Sequence, residues 1–263
     1  MSPRATKDKE ERRMGIGVLV IGDEILTGKR ADRHLAHAIE TLGRRGLDID
    51  FAHYLGDDRA RLTSLLKETF ARDELVFSFG GIGATPDDCT RQAAAAALGV
   101  DLAPHPEAVR EIEAKFGAEA YPNRVLMAEF PAGSRIIPNP VNRVAAFAIR
   151  NHHFFPGFPQ MAWPMLDWVL ATWYPEMLRT PAVERAIVVY DAGESQLLKL
   201  MNDCVARFPR VKLFSLPSFQ IDGKRRLELG VRGEAVLADT ALAFLRDGVA
   251  AGGFRHEPLA PPG

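Results

Sequence analysis

Apolar positions first run together at residues 16–21, a glycine-bounded stretch rich in β-branched side chains, as expected of a strand buried on both faces. Residues 32–42 then place Leu35, Ala36, Ile39 and Leu42 on one helical face, with Gly43 as a stop. Residues 49–55 read as a second strand. Residues 58–71 read as a helix with Leu62, Leu65, Leu66 and Phe70 on one side, and residues 75–79 as a third strand. Strand and helix alternating through short links predict right-handed βαβ units and a parallel sheet covered on both faces. In such a sheet, ligands bind beyond the carboxyl ends of the strands.

The third strand runs into a glycine-rich turn and an alanine-rich helix. Residues 106–116 look helical, 146–155 suit a hairpin, and 159–173 carry large apolar residues at mixed spacing. The texture changes around 175–181. Beyond it the pattern predicts a strand (185–190), a helix (195–208), two strands about the Asp222-Gly223 turn and a last helix (234–249). That βαββα order has the size of a small α+β domain. The expected organisation is therefore an α/β domain over 15–178 with a mostly parallel sheet, then a small α+β domain over 182–250. Residues 1–14, charged and without an apolar core, read as a disordered lead, and the Gly/Pro-rich residues 251–263 as a flexible tail.

Composition narrows the function classes. Lys plus Arg number 33 against 34 acidic residues, so no global field recruits nucleic acid and no long basic run supplies a local one. Two cysteines, Cys89 and Cys204, lie far apart and without metal-ligand spacing, which argues against a disulfide framework or a zinc site and fits a reducing cytoplasm. The lead is neither a signal peptide nor a membrane span.

The candidate chemistry lies in three loops that follow the first three strands. The stretch GDEILTGKR contains a Gly-Lys pair but is no Walker loop: Asp23 stands where the first glycine belongs, and Arg30 replaces the required hydroxyl residue. Asp23 and Glu24 are the residues to explain there. The second loop brings Gly56, Asp57 and Asp58. The third brings Gly80, Gly81 and Gly83 with Thr85, Asp87 and Asp88. Glycines allow close backbone approach to a ligand, and N–H groups at a helix start favour an anion, so a phosphate is the natural occupant. Carboxylates at the same place would repel it unless a divalent cation such as Mg²⁺ lay between. The competing reading makes Thr85, Asp87 and Asp88 helix caps and the glycines a tight turn.

The run GDEILTGKRADRH, then YLGDD, then GGIGATPDDCTRQA resembles the molybdopterin-binding domain of the MoaB, Mog and competence/damage-inducible protein A (CinA) families. PNPVNRVAAF and FPGFPQM are similar to the CinA version, as are DAGESQLLKLM and the small unit after it. The resemblance implies a MoaB-like three-layer fold, a pterin or nucleotide phosphate site at the glycine loop, and a self-associating protein. It implies acidic roles for Asp57 and Asp88, both also candidate metal ligands, with Asp87 a further catalytic candidate that would orient water or the attacking phosphate. Ligand contacts are expected at Gly80, Gly81, Gly83, Thr85, Asp23, Glu24, Asn139, Arg143, Pro156 and Gly157. Metal-dependent hydrolysis of ADP-ribose, adenylyl transfer to molybdopterin, and pterin or nucleotide binding without turnover all fit these residues. CinA proteins carry a further amidase domain absent from this stretch, so deamidation is not expected. The chain departs from the family pattern at Asp32-Arg33-His34, at Ala84, at Gln160, and at residues 141–146, where the usual glycines are missing and Arg143 is expected to meet a phosphate by side chain instead.

Other residues have plainer readings. His152 and His153, adjacent on a strand, point to opposite faces and suit the core better than a shared ion. Cys89 near a helix start is either an activated thiol or a small buried residue. Trp163, Trp168, Trp173 and Tyr174 suit core or subunit interface more than ring stacking, and the interface is favoured. Lys224, Arg225 and Arg226 beside a turn read as a solvated basic cluster.

Overall fold

The computed structural model of the chain describes residues 14–219 and 225–259. Two compact units divide between Leu178 and Arg179.

The first unit opens with β1 (Gly15–Ile21), whose residues from Ile16 onward are buried, and a four-residue helix α1 (Asp23–Leu26). Helix α2 (His34–Arg44) starts two residues later than the apolar spacing predicts, because Asp32 caps it from outside: its carboxylate accepts from the N–H groups of His34 (2.7 Å) and Leu35 (3.2 Å). Strand β2 (Phe51–Leu55) and α3 (Arg59–Phe70) follow, the helix capped by Asp58, whose side chain accepts from Ala60 and Arg61 N–H. Strand β3 (Glu74–Phe79) leads through the glycine loop to α4 (Thr90–Leu98), which ends at Gly99 with φ 67°. A two-stranded ribbon of β4 (Leu102–Pro104) and β5 (Glu129–Pro131) encloses α5 (Pro106–Phe116) and two 3₁₀ turns, Gly117–Ala120 and Arg124–Ala128. Then come β6 (Arg135–Ile137), β7 (Ala146–Ile149), β8 (His152–Phe155) and α6 (Pro159–Trp173).

The six strands order as β2-β1-β3-β8-β7-β6. The pairs β2/β1, β1/β3 and β3/β8 are parallel, and β8/β7 and β7/β6 antiparallel, so the sheet is mixed but mostly parallel. One core of aromatic and aliphatic residues fills it, with Phe77, Phe79, Phe147, Phe154 and Phe155 fully buried. The expected cover on both faces holds for the central strands but not for β2, where Ala52, His53 and Tyr54 are exposed: β2 pairs only with β1 and forms the sheet's edge.

The second unit has β9 (Val183–Tyr190), α7 (Glu194–Arg207), β10 (Lys212–Phe219), β11 (Arg225–Gly233), α8 (Ala235–Ala251) and β12 (His256–Pro258). Its sheet runs β10-β11-β9-β12 and is antiparallel throughout. The expected turn at Asp222-Gly223 lies outside the described residues. The expected flexible tail is corrected in part: after α8, Gly253 takes φ 78° and reverses the chain, and His256–Pro258 pairs with β9, making the unit βαββαβ. A three-residue edge strand containing a proline carries no alternation that a sequence pattern could reveal.

Candidate functional site

The loops that end β1, β2, β3 and β8 meet at one edge of the large sheet, the carboxyl edge of its parallel strands. Backbone bonds tie them: Gly22 N–H donates to Leu55 O (3.0 Å) and Gly80 N–H to Phe155 O (3.0 Å). At Gly80, with φ 106°, the Ile21 carbonyl occupies the place of a side chain, so only glycine fits. Thr90, first residue of α4, donates its hydroxyl to Gly80 O (3.1 Å) and its N–H to Gly81 O (3.0 Å).

Asp88 does not cap α4. The residue before the helix is Cys89, with no side-chain capping bond, while the Asp88 carboxylate folds back to accept from the Thr85 N–H (3.2 Å) and hydroxyl (2.5 Å). It also lies where a Cβ on Gly83 would be, which explains the third glycine. Gly81, Gly83 and Asp88 line one side of a cleft of about 320 Å³. Asn139, Pro156 and Gly157 line it too, and Phe116, Met127, Phe158 and Met161 give it an apolar wall. A second cleft of about 510 Å³ takes Glu24, Arg30, Asp32 and His34 and shares Gly157 and Phe158 with the first.

The acidic residues gather nearby. Asp23 and Asp57 are reciprocally bonded: Asp23 N–H donates to Asp57 Oδ2 (3.0 Å) and Asp57 N–H to Asp23 Oδ1 (3.2 Å). Burial pushes the Asp57 carboxyl up, and the charges of Asp23, Glu24 and Asp87 push it further. Asp87 is fully exposed, and hydrogen bonds within the loop, its own N–H among them, hold its carboxyl below the usual range. Among the described residues no three His, Cys, Asp or Glu side chains converge into a closed metal cage.

Arg143 is placed differently from its expected phosphate contact. Its Nε and Nη2 donate to Glu111 (2.7 and 3.2 Å), and it does not line the cleft. Its backbone, at φ 61°, takes the left-handed conformation that glycine adopts most easily. Asn139 fixes that turn, donating to Val144 O (3.0 Å) and accepting from Val141 N–H (3.0 Å).

The plainer readings also find their places. The Cys89 thiol is pushed up by burial and by Asp57 and Asp58, the opposite of activation. His152 and His153 lie in the core on opposite faces: His152 Nε2 is 2.8 Å from the Thr69 hydroxyl and His153 Nε2 3.2 Å from that of Tyr174. Trp163 stacks on His37 at 4.2 Å, while Trp168 and Trp173 meet edge to face at 5.3 Å beside a groove that Arg135 also lines.

Sequence reading missed three residues here. Phe158 is the wall common to both clefts. His34, buried, stacks on Phe79 at 4.6 Å and places Nε2 3.1 Å from Gly157 O. Arg91 is buried, and among the described residues its side chain bonds to carbonyl oxygens alone. The sole signal for Arg91 was one charged residue near the start of an otherwise alanine-rich helix.

Residues 17–178 match the family described as "Probable molybdopterin binding domain". The chain is 35% identical over 188 residues, 68% of its length, to a CinA-like protein of Anaeromyxobacter sp.. It is 32% identical over 210 residues, 76% of its length, to a CinA-like protein of Geobacter sp.. It spans about half the length of these curated relatives, 46% and 50%. Among solved structures, the protein CinA with unknown function from Thermoplasma acidophilum is similar with TM-score 0.55 and 26% identity, over 63% of this chain and 99% of that one.

Proposed function

Since this chain belongs to the molybdopterin-binding domain family, we propose that its first unit binds a phosphorylated pterin or nucleotide at the glycine loop and acts on a phosphoanhydride in it, as in hydrolysis of ADP-ribose. The observation that carries this reading is the third loop: Gly81 to Gly83 line a cleft with an apolar wall, and Asp88 lines that cleft too rather than capping a helix.

A divalent cation such as Mg²⁺ is part of this reading. A cation there would relieve the like charges that raise Asp57 and would complete its shell with phosphate oxygens and water. Asp88 and Asp57 are the residues to hold it. Bound there, the ion would neutralise charge developing on the phosphate. The chain's own groups do the rest: the glycine-loop N–H groups orient the phosphate, and exposed Asp87, its carboxyl lowered by hydrogen bonds within the loop, orients an attacking water or phosphate.

Binding without turnover is the second reading, favoured by the Arg143 side chain being engaged by Glu111, and adenylyl transfer to a pterin uses the same apparatus. The groove beside Trp168 and Trp173 is the surface proposed for self-association, in the cytoplasm. Neither a membrane nor nucleic acid is proposed as a partner: no described helix is long and apolar enough to cross a membrane.

The deciding experiment is phosphorus NMR with ADP-ribose and a nucleotide panel in Mg²⁺ or Co²⁺. Products formed by the wild type and absent with Asp88→Ala are the expected result. Line broadening without products would leave binding alone or adenylyl transfer, and no effect on any ligand would end the nucleotide reading.

A further inference from the structure

Arg91 is the second residue of α4, where a cation opposes the helix dipole, and its side chain is buried, where a charge without an ion pair is costly. Among the described contacts it makes no ion pair. Glu129 and Asp88 act on it through space, and its guanidinium donates to three carbonyls: Nη2 to Gly83 O (2.6 Å), and Nη1 to Leu126 O (2.6 Å) and Glu129 O (2.9 Å). Those carbonyls belong to two chain segments that meet at the first cleft. Gly83 is in the glycine loop that faces Asp88, while Leu126 and Glu129 flank Met127, part of the apolar wall.

We propose that Arg91 is a positioning residue, a buried fork that locks the glycine loop to the 3₁₀ turn at 124–128 and the start of β5, and so sets the spacing of these two segments and the aim of the Gly83 backbone. The planar guanidinium suits this because it presents several donors in a fixed geometry, which the single ammonium of a lysine does not. The same buried charge, not consumed by an ion pair, adds positive potential behind the loop and favours an anion there. This second effect rests on the phosphate-binding reading of the cleft; the lock does not.

The test uses the full chain with Arg91→Met and Arg91→Lys, and Leu42→Ala as a variant destabilised in the same unit but away from the cleft. Hydrogen exchange is followed by mass spectrometry at a temperature where all four proteins are folded. Peptides covering residues 80–86 and 124–131 are expected to exchange at least tenfold faster in both Arg91 variants and at the wild-type rate in Leu42→Ala. Wild-type exchange in either segment of Arg91→Met, or equal loosening in Leu42→Ala, would overturn the lock. Pyrophosphate with Mg²⁺, titrated by phosphorus NMR, is expected to bind Arg91→Met at least tenfold more weakly. If the wild type does not bind pyrophosphate, the phosphate reading of the cleft falls, and the exchange rates still decide the lock.

Discussion

The two units bury different things. Every buried polar or charged residue described, among them His34, Thr90, Arg91, Asn139, His152 and His153, belongs to the first unit, whereas the core of the second consists of Ile187, Val189, Leu197, Met201, Cys204, Leu227, Leu229, Val231 and similar apolar side chains. An apolar core costs little to assemble and specifies a shape. A buried arginine or imidazole costs desolvation and survives only where its bonds hold something in place. Four of the ten, Thr90, Arg91, Asn139 and His34, each bond the backbone of a loop that lines a cleft, so part of the first unit's polar burial serves the candidate site. Thr41, Thr69, Ser78, Ser134, His152 and His153 are buried elsewhere in the unit, the two histidines at the far end of β8 from that edge, where they meet the Thr69 and Tyr174 hydroxyls.

The strongest challenge to this contrast is Leu229→Ala, in the fully buried centre of β11. It should destabilise the second unit by about 2–5 kcal/mol and lower its melting transition while leaving ligand binding by the first unit unchanged. A loss of binding measured by phosphorus NMR would show that the small unit contributes to the site.

Acid should act the other way. Burial lowers His152 to about 3 and His153 to about 4 from an ordinary 6.5. A histidine lowered on folding contributes stability that is fully present above pH 6.5 and is lost as pH falls from there toward these values, because the unfolded chain takes up the proton first. The melting temperature of the first unit should therefore drop between pH 6.5 and 4 more steeply than that of the second, and His152→Gln should flatten the drop. Parallel slopes in scanning calorimetry would remove the imidazoles as its cause.

The smallest effect is expected at Asp57, whose carboxyl is raised, first by burial and then by its acidic neighbours. A raised acid favours folding below its unfolded value near 3.8 and disfavours it as pH climbs through the folded value, so Asp57→Asn should raise the melting temperature near pH 7 by about 2 °C. The gain should vanish below pH 4. Added Mg²⁺ should produce a similar gain in the wild type and none in the variant.

Much of this was legible in the chain. Strands β1 and β3, helices α3 and α5 and the 146–155 hairpin follow from apolar spacing, and the glycine loop was conspicuous because three glycines and two acids seldom serve a turn alone. What escaped notice lacked periodicity or depended on distant partners. Helix α1 is a single turn, and β12 is three residues long. Arg91 and His34 acquire meaning only from carbonyls 8 to 123 residues away, at Gly83, Leu126, Glu129 and Gly157. The sequence neighbourhood of Arg143 could not show that Glu111 would engage its side chain.

The pairing of β12 with β9 joins the last described strand of the small unit to its first. On a ribosome the order of synthesis then matters: β9, α7, β10, β11 and α8 can assemble as they emerge, but one edge of β9 stays unpaired until His256–Pro258 has left the exit tunnel. Through that interval the nascent chain presents an open strand edge to its neighbours on the same message, the kind of surface that invites intermolecular pairing. The three residues that close it, one a proline and one a glutamate, end that exposure with an edge poorly suited to recruiting another strand.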